Sequence, residues 1–241
     1  MNKWKETNIN YWDEVAGTYD ALYNDGWSSL EDSYMEDSLK NMLHQGDKVL
    51  DLGCGLCLGY QLLCAFHNNF SYTGIDISKE MVSKAKAIHP ELKIVETSMS
   101  DLSMIKDESV DLVICINTSF SFVFDTQKTI TEIKRVLKKG GRLLISVLSK
   151  WSLRRLIRLK FAAIEEYATR NSSLKATTKA HVFSSSKLKS KFQANGFSHI
   201  KVNGYNSFAG ILNRKWAWKL NLLFSQLNKD FSHDLILTAT Y

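Results

Sequence analysis

The sequence predicts an α/β fold in which a mostly parallel β-sheet carries helices on both faces. Between residues 48 and 148, short apolar segments alternate with segments that have the periodicity of helices. Each apolar segment is continuous, which is typical of strands that are buried on both faces of a sheet. A glycine turn follows the first of these segments, at a place where sheets of this class bind ligands. Together these observations predict repeated βα units around a parallel sheet.

The order of the elements follows from the same alternation. Five strands are predicted in the first part of the chain, at 49–52, 72–76, 93–96, 111–116 and 142–147, with helices at 60–66, 80–88 and 126–137. Residues 151–180 are predicted to form a mostly helical insertion. Ser184 as a cap and Gly196 as a stop mark a helix over 184–195. The remaining predicted elements are a strand at 200–202, an apolar helix at 216–227 and a last strand at 235–241.

Length and composition favour a single domain that stays in the cytoplasm. A chain of 241 residues, 44% of them apolar, can bury one sizeable core. No apolar run reaches the roughly 18 to 20 residues that a bilayer-spanning helix needs, and the first residues are polar. The four cysteines are predicted to be reduced thiols. Cys54 and Cys57 have the spacing of a metal pair, but no second Cys or His pair follows, so no metal site is predicted.

The positive charge of the chain is concentrated in one segment. Residues 150–191 contain eleven Lys or Arg and two Glu, a net charge of +9, whereas the whole chain carries +6. The rest of the chain is therefore net acidic. We interpret the basic segment as a solvated face, and the alternatives are contacts with an acidic substrate, a nucleic acid or an anionic membrane.

A ligand site is predicted where the first three strands end. Gly53 and Gly55 allow positive φ angles and a close approach of a ligand to the backbone, in a turn that opens a helix. Asp76 ends the second strand, where a carboxylate can accept hydrogen bonds from both hydroxyls of a ribose. The third strand leads to 98–101, at the edge where an adenine ring would lie.

Two other nucleotide-binding patterns do not fit this turn. A dinucleotide-binding fingerprint requires a third glycine where Leu58 stands, and Gly59 comes one residue late. The Gly-Lys-Ser/Thr of a phosphate-binding loop is absent as well.

Six segments in chain order carry a resemblance to a known family. They are Val-Leu-Asp-Leu-Gly-Cys-Gly (49–55), Gly-Ile-Asp-Ile-Ser (74–78), Met81, Asp-Leu (101–102), Ser-Val-Asp-Leu-Val (109–113) and Leu-Lys-Lys-Gly-Gly-Arg-Leu-Leu-Ile (137–145). In this order they resemble the class I S-adenosylmethionine-dependent methyltransferases of the small-molecule type, over roughly residues 12–147. The resemblance implies a Rossmann-like seven-stranded sheet that ends in an antiparallel strand, with 200–205 and 234–241 as its last two strands.

We accordingly predict one domain of four parts. These are an N-terminal helical lid (1–45), a cofactor-binding core (46–148), the basic helical insertion (149–183) and a C-terminal helix with the final strands (184–241).

The resemblance also implies S-adenosylmethionine as the cofactor and a set of residues that bind it. These are Tyr19 in the lid, Asp51, Gly53, Cys54 and Gly55 in the first turn, Asp76, Ile77 and Met81 after the second strand, Met99, Ser100 and Asp101 after the third, and Asn117 after the fourth. By this resemblance, Asp51 orients the turn or reaches the ammonium group of the cofactor. Asp76 binds the ribose, and Asn117 lies near the reacting sulfonium.

The predicted substrate is a small-molecule acceptor that is methylated on oxygen or nitrogen. The position after strand four reads Asn117-Thr118-Ser119-Phe120 and lacks the two prolines of family members that methylate amino groups in nucleic acids. This disfavours a nucleic acid, although an RNA acceptor bound by the basic segment is one alternative. A lipid or quinone collected at a membrane surface is another, and a protein that binds the cofactor without turnover is a third. The oligomeric state is not predicted.

The candidate general base is His181, which follows the insertion where relatives build the acceptor pocket. Tyr11, Tyr19 and Tyr205 are the other candidates for this role. The insertion is predicted to be an amphipathic helix, which forms a lid over the acceptor or lies on an anionic membrane. Its apolar face comprises Leu153, Leu156, Ile157, Phe161 and Ile164, and its basic face Arg154, Arg155 and Arg158. Further along the chain, Trp216, Trp218, Leu222 and Leu223 are predicted to pack in the core, and the alternative is that they extend this apolar surface.

Overall fold

The fold is described from a computed structural model, which defines residues 3–19, 26–168, 177–208, 211–212 and 214–241. The helices are α1 (Lys3–Ala16), α2 (Ser28–Leu39), α3 (Leu58–Cys64), α4 (Lys79–Ile88), α5 (Thr126–Val136), α6 (Leu153–Ile157), α7 (Ser185–Ala194) and α8 (Trp218–Leu227). The strands are β1 (Lys48–Leu52), β2 (Ser71–Asp76), β3 (Lys93–Glu96), β4 (Val110–Cys115), β5 (Leu137–Leu148), β6 (Ile164–Tyr167), β7 (Thr178–His181), β8 (Ser198–Tyr205) and β9 (Asp234–Thr240). Short 3₁₀ turns occur at Ser119–Phe122, Lys215–Ala217 and Lys229–Phe231.

Seven strands form one sheet in the order β3-β2-β1-β4-β5-β9-β8. The first five are parallel to one another, while β9 is antiparallel to both β5 and β8. The predicted mostly parallel sheet with an antiparallel end is therefore confirmed. The chain runs outward from β1 to β3 on one side and continues at β4 on the other, so the sheet has a switch point between β1 and β4. Ligands bind at the carboxyl ends of strands beside such a point.

Helices cover both faces of the sheet, as the continuous apolar strands predict. Leu50 of β1 belongs to the same buried cluster as Ile133 of α5, and its neighbour Val49 belongs to the opposite cluster with Leu63 of α3. Because successive side chains of a strand point to opposite faces, a strand that is apolar throughout fits only between two layers.

The prediction of a mostly helical insertion over 151–180 is wrong for the part of this segment that the structure describes. Only α6 is helical, and its five residues are followed by a hairpin in which β6 pairs with β7. Leu159 has a left-handed φ of 52°, which ends the helical path. Residues 169–176 of the insertion lie outside the described residues.

The orientation predicted for the insertion is wrong for Arg155, Ile157 and Phe161, whereas Arg158 is exposed as predicted. Arg155, predicted on the outer face, is buried and donates to Glu165 of β6 at 2.9 Å and to the Ser149 carbonyl at 2.8 Å. Ile157 and Phe161, predicted on the inner face, are exposed. The apolar periodicity of the sequence predicts that the apolar side of a helix faces inward. In the structure the buried ion pair between Arg155 and Glu165 holds Arg155 inward instead.

The α8 helix lies where a helix is predicted, but its polar side faces the protein. Asn221 and Ser225 are buried, whereas Trp216 and Leu223 are exposed. Trp218 packs edge-on against Trp27, with ring centroids 5.0 Å apart. None of the helices in the described part of the chain has both the length and the apolarity that a bilayer crossing requires.

Candidate cofactor and acceptor site

A cleft of about 1130 Å³, including its open mouth, lies at the carboxyl ends of β1, β2 and β4. Ten of the twelve predicted cofactor residues line it, namely Tyr19, Gly53, Cys54, Gly55, Asp76, Ile77, Met81, Met99, Ser100 and Asn117.

The turn after β1 is shaped by its two glycines. Gly53 and Gly55 have φ angles of 71° and 50°, in the left-handed region that glycine adopts without strain. A Cβ on Gly53 would lie 2.8 Å from the Cβ of Ser119, so no side chain fits there. The backbone N–H groups of Gly53 and Cys54 both donate to the Ile75 carbonyl, at 2.8 and 2.9 Å. These bonds fix the turn against β2 and leave its open side towards the cleft.

Asp76 is held at the end of β2 by backbone donors. Its Oδ2 accepts from the Gly55 N–H and its Oδ1 from the Ser78 N–H, both at 2.9 Å. Burial raises the pKa of this carboxyl above its ordinary value, and the backbone N–H donors partly oppose that rise. Each carboxylate oxygen keeps a lone pair for a further donor. The arrangement presents two acceptor atoms at one wall of the cleft.

Asp51 lies beneath the turn and does not line the cleft. It is fully buried, and its Oδ2 accepts from the Tyr72 hydroxyl at 2.6 Å. Its other oxygen has no hydrogen-bond partner within the described part of the chain. Burial raises the pKa of this carboxyl to about 7, helped by the charge of Asp76 and opposed by the Tyr72 hydroxyl. A Cβ on Gly59 would lie 2.4 Å from Oδ2, so α3 begins directly against this carboxyl.

The segment after β3 contributes one wall of the cleft. The hydroxyls of Ser98 and Ser100 lie 2.8 Å apart beside Met99. Asp101 is exposed outside the cleft, and its carboxylate accepts from the Ser103 N–H at 3.3 Å. Hydrogen bonds from Ser103 lower the pKa of Asp101. Asp101 is absent from the cleft lining, unlike Ser98, Met99 and Ser100.

The turn after β4 closes the cleft opposite the glycine turn. Asn117 and Thr118 have left-handed φ angles of 50° and 60°. The Thr118 N–H donates to the buried Ser146 hydroxyl at 2.7 Å, and the Ser119 hydroxyl donates to the Gly53 carbonyl at 3.3 Å. The hydrogen bond between the Ser119 hydroxyl and the Gly53 carbonyl therefore joins the two turns that flank the switch point.

Helix α1 covers the cleft, as the resemblance to a lid helix suggests. At one end, Asp13 accepts from the Ser78 hydroxyl at 2.6 Å and from the Glu80 N–H at 3.2 Å. At the other end, Trp4 and Asn8 donate to the Phe122 carbonyl, at 3.2 and 2.8 Å. Lid and core are thus joined at both ends of the helix.

Several lining residues were not predicted from the sequence. They are Lys5, Asn8, Trp12, Leu58, Thr97, Ile116, Ser119, Phe122, Val123 and Phe124. Trp12 and Phe122 pack edge-on with ring centroids 5.1 Å apart, so α1 and the segment after β4 form one wall together. The alternating aromatic residues at 120, 122 and 124 are the signal in the sequence that could have indicated this wall.

His181 lies beside the cleft and is not part of its lining. One ring nitrogen is 3.4 Å from the carbonyl oxygen of Phe124, which does line the cleft, and the ring stacks on Trp4 with centroids 4.8 Å apart. Burial lowers the pKa of His181, which favours the neutral ring at pH 7. The described residues contain no cluster of His, Cys, Asp and Glu that could hold a metal ion.

The fold and the cleft define a class of protein, an α/β protein with a nucleotide-type site at the switch point of a seven-stranded sheet. Residues 43–196, more than half of the chain, match the family model described as a methyltransferase domain. The chain therefore belongs to the methyltransferase-domain family, in the class I group that uses S-adenosylmethionine.

Individual relatives agree with this membership. The chain is 28% identical over 143 residues to malonyl-[acyl-carrier protein] O-methyltransferase of Priestia megaterium, a match over 58% of this chain and 51% of the relative. It is 30% identical over 153 residues to glycine/sarcosine N-methyltransferase of Aphanothece halophytica, over 60% of this chain and 54% of the relative. The chain thus matches about half the length of these two relatives.

A solved structure shows the same fold. The S-adenosylmethionine-dependent methyltransferase of Clostridium acetobutylicum has a TM-score of 0.64 and 14% identity to the chain, over 95% of this chain and 98% of that one.

Proposed function

We propose that the protein transfers a methyl group from S-adenosylmethionine to the oxygen or nitrogen of a small-molecule acceptor. The observation that carries the proposal is one cleft with two chemically different ends. One end has the glycine turn and Asp76, and the other has Asn8 among aromatic side chains. When bound, S-adenosylmethionine supplies a methyl group that is already electrophilic, so the task of the protein is to align the acceptor and exclude water.

The first end fits the cofactor. Gly55 leaves space above the turn, since among the described residues a Cβ there would meet only the Tyr19 hydroxyl, at 3.9 Å. Asp76 has acceptor capacity for the ribose hydroxyls, and Met81 and Ile77 provide apolar surface for a base. We assign the ribose to Asp76 and the methionyl part to the glycine turn.

The second end fits an acceptor that carries an N–H or O–H group. Asn8 is 7% exposed, and its Nδ2 is committed to the Phe122 carbonyl. Its Oδ1 has no partner among the described residues, although Asn8 lines the cleft. A buried acceptor atom without a partner is costly, and a ligand donor would remove that cost. Trp12 and Phe124 supply apolar walls. The candidate general base at this end is His181, which lies behind Phe124 and outside the lining, so a base role requires it to reach the acceptor past Phe124.

Calorimetric titration with S-adenosylhomocysteine tests the cofactor assignment. We expect one site per chain, with affinity reduced at least tenfold, or about 1.4 kcal/mol, by Asp76→Ala. Asp101→Ala is the matched control, because Asp101 is exposed outside the cleft, and it should leave the affinity unchanged. A folded native chain that shows no binding would rule out the proposal.

The acceptor is then sought by mass spectrometry, as a gain of one methyl mass in pools of small amines, acids and alcohols. For the acceptor found, Asn8→Leu should raise KM and leave the affinity for S-adenosylhomocysteine unchanged. If Asn8→Leu weakens the binding of S-adenosylhomocysteine equally, the residue serves the cofactor end instead.

A further inference from the structure

We propose that the protein docks on anionic lipid membranes through a surface formed by α8 and the segment that follows β5. This apolar–basic surface comprises residues 151–161 and 214–227. It differs from the cleft in position and does not depend on which acceptor the cleft takes.

The first part of the surface is a stripe of large apolar side chains along one side of α8 and of the 3₁₀ turn Lys215–Ala217 that precedes it. Trp216, Leu220, Leu223 and Leu227 follow one another at intervals of four, three and four residues, which puts them on one face of a helix. All four are between 54% and 73% exposed. Helices on protein surfaces normally expose their polar side to solvent, whereas α8 exposes its apolar side; we call this arrangement the inversion of α8.

The inversion is fixed by hydrogen bonds on the inner side of α8. The hydroxyls of Ser225 and Ser207 lie 2.7 Å apart, and Ser225 also donates to the Asn221 carbonyl at 2.7 Å. The Asn221 side-chain oxygen accepts from the Phe208 N–H at 2.9 Å. Rotating the helix to bury its leucines would break the bonds to Ser207 and to the Phe208 N–H, which lie outside the helix. The apolar face is therefore held towards the outside.

The second part of the surface lies next to the end of α8. Ile157 and Leu159 are 64% and 76% exposed, and Trp151 and Phe161 pair with ring centroids 6.2 Å apart. Ser149 connects this part to the residues after α8, because its hydroxyl donates to the Asp230 carbonyl at 2.7 Å. Both parts lie at the carboxyl end of β5, which pairs with the start of β9. They therefore lie at the same end of the strands as the cleft.

The charge of the surface selects an anionic bilayer as its occupant. The sequence has no Asp or Glu in 150–164 or in 211–229. Six exposed cations border the apolar side chains, namely Arg158, Lys160, Arg214, Lys215, Lys219 and Lys229. Two copies of the chain placed face to face would oppose like charges, whereas an anionic bilayer is complementary. Aromatic and leucine side chains with flanking cations are typical of helices that lie in a bilayer interface.

Co-sedimentation with unilamellar vesicles tests the proposal, using phosphatidylcholine alone and an equimolar mixture with phosphatidylglycerol. The native chain should bind the mixed vesicles and bind phosphatidylcholine at least about tenfold more weakly. Leu223→Gln/Leu227→Gln and Arg214→Gln/Lys219→Gln should each reduce binding to the mixed vesicles at least about tenfold. All four side chains are exposed, so the variants should fold, which their unfolding curves check.

Matched controls lie near β3, the edge strand on the side of the sheet opposite β8. Ile88→Gln/Met104→Gln removes two exposed apolar side chains, and Lys93→Gln/Lys106→Gln removes two exposed cations. Both should bind like the native chain. Equal loss in the controls, or no binding of the native chain to mixed vesicles, would overturn the proposal.

Two other occupants give distinct results. A dimer in sedimentation velocity that Leu223→Gln/Leu227→Gln dissociates, without vesicle binding, would assign the surface to a second copy. Binding of single-stranded RNA that depends on Arg214 and Lys219 but not on the leucines, again without vesicle binding, would assign the cations to a nucleic acid. Either result would replace the membrane as the occupant.

Discussion

Two regions of the molecule are held in different ways. One is the set of turns at the carboxyl ends of the strands, and the other comprises the insertion after β5 and the helix α8. The glycine turn is fixed by its own backbone N–H groups, which donate to the Ile75 carbonyl of β2 and to Asp76. The turn after β4 is fixed by the Thr118 N–H, which donates to Ser146 of β5. The insertion is held by a side-chain ion pair, Arg155 with Glu165, and α8 by a few hydroxyls and one amide. Backbone contacts follow from the parallel sheet itself, whereas side-chain contacts depend on which partner the rest of the chain brings near. The comparison predicts that single substitutions open the outer segments more readily than the turns.

The largest effect is expected at the ion pair of the insertion. Arg155→Met leaves Glu165 largely buried without its cation and should lower the free energy of unfolding by about 4 kcal/mol. Urea unfolding measures the loss, and amide hydrogen exchange should show β6 and β7 opening first. The double variant Arg155→Met/Glu165→Met should recover most of the loss, because no buried charge remains. A double variant as unstable as the single one would contradict this account.

A smaller effect is expected from Asp51, the one carboxyl beneath the glycine turn. Its pKa is raised to about 7 in the folded chain, so the folded state holds its proton more tightly than the unfolded state. The stability that this proton provides is full below about pH 4, the ordinary range of an Asp, and is lost as pH rises to about 7.

Asp51→Asn removes this pH dependence. Between pH 5 and pH 8 the native chain should lose about 3 kcal/mol relative to the variant, as measured by urea unfolding at the two values. Tyr72→Phe deletes the bond that lowers the pKa of Asp51 and should move the loss to higher pH. Parallel pH profiles for the native chain and Asp51→Asn would show that the carboxyl is ionised throughout.

The smallest effect is expected where the lid meets the core. Asp13→Asn weakens the hydrogen bonds to Ser78 and Glu80 and should cost about 1 kcal/mol of unfolding free energy, with faster proteolysis of α1. Asp37→Asn, at an exposed position of α2, is the control and should change neither quantity. If proteolysis of α1 is unchanged in Asp13→Asn, the hydrogen bonds from Trp4 and Asn8 to the Phe122 carbonyl are sufficient to hold α1 on the core.

The sequence by itself determined the sheet and most of the cofactor end of the cleft. Continuous apolar strands fit only between two layers, and Gly53 and Gly55 are required by positive φ angles, so both features follow from local chemistry. The resemblance added ten residues that do line the cleft, while Asp51 lies beneath it and Asp101 outside it.

Only the tertiary structure decided the short α6 with its hairpin, the outward face of α8 and the acceptor end around Asn8. Each depends on a partner distant in sequence, such as Glu165 for Arg155, Ser207 for Ser225 or Phe122 for Asn8. Apolar periodicity gives the helices their propensity, but the cost of leaving a buried polar group unpaired decides which side of each segment faces inward.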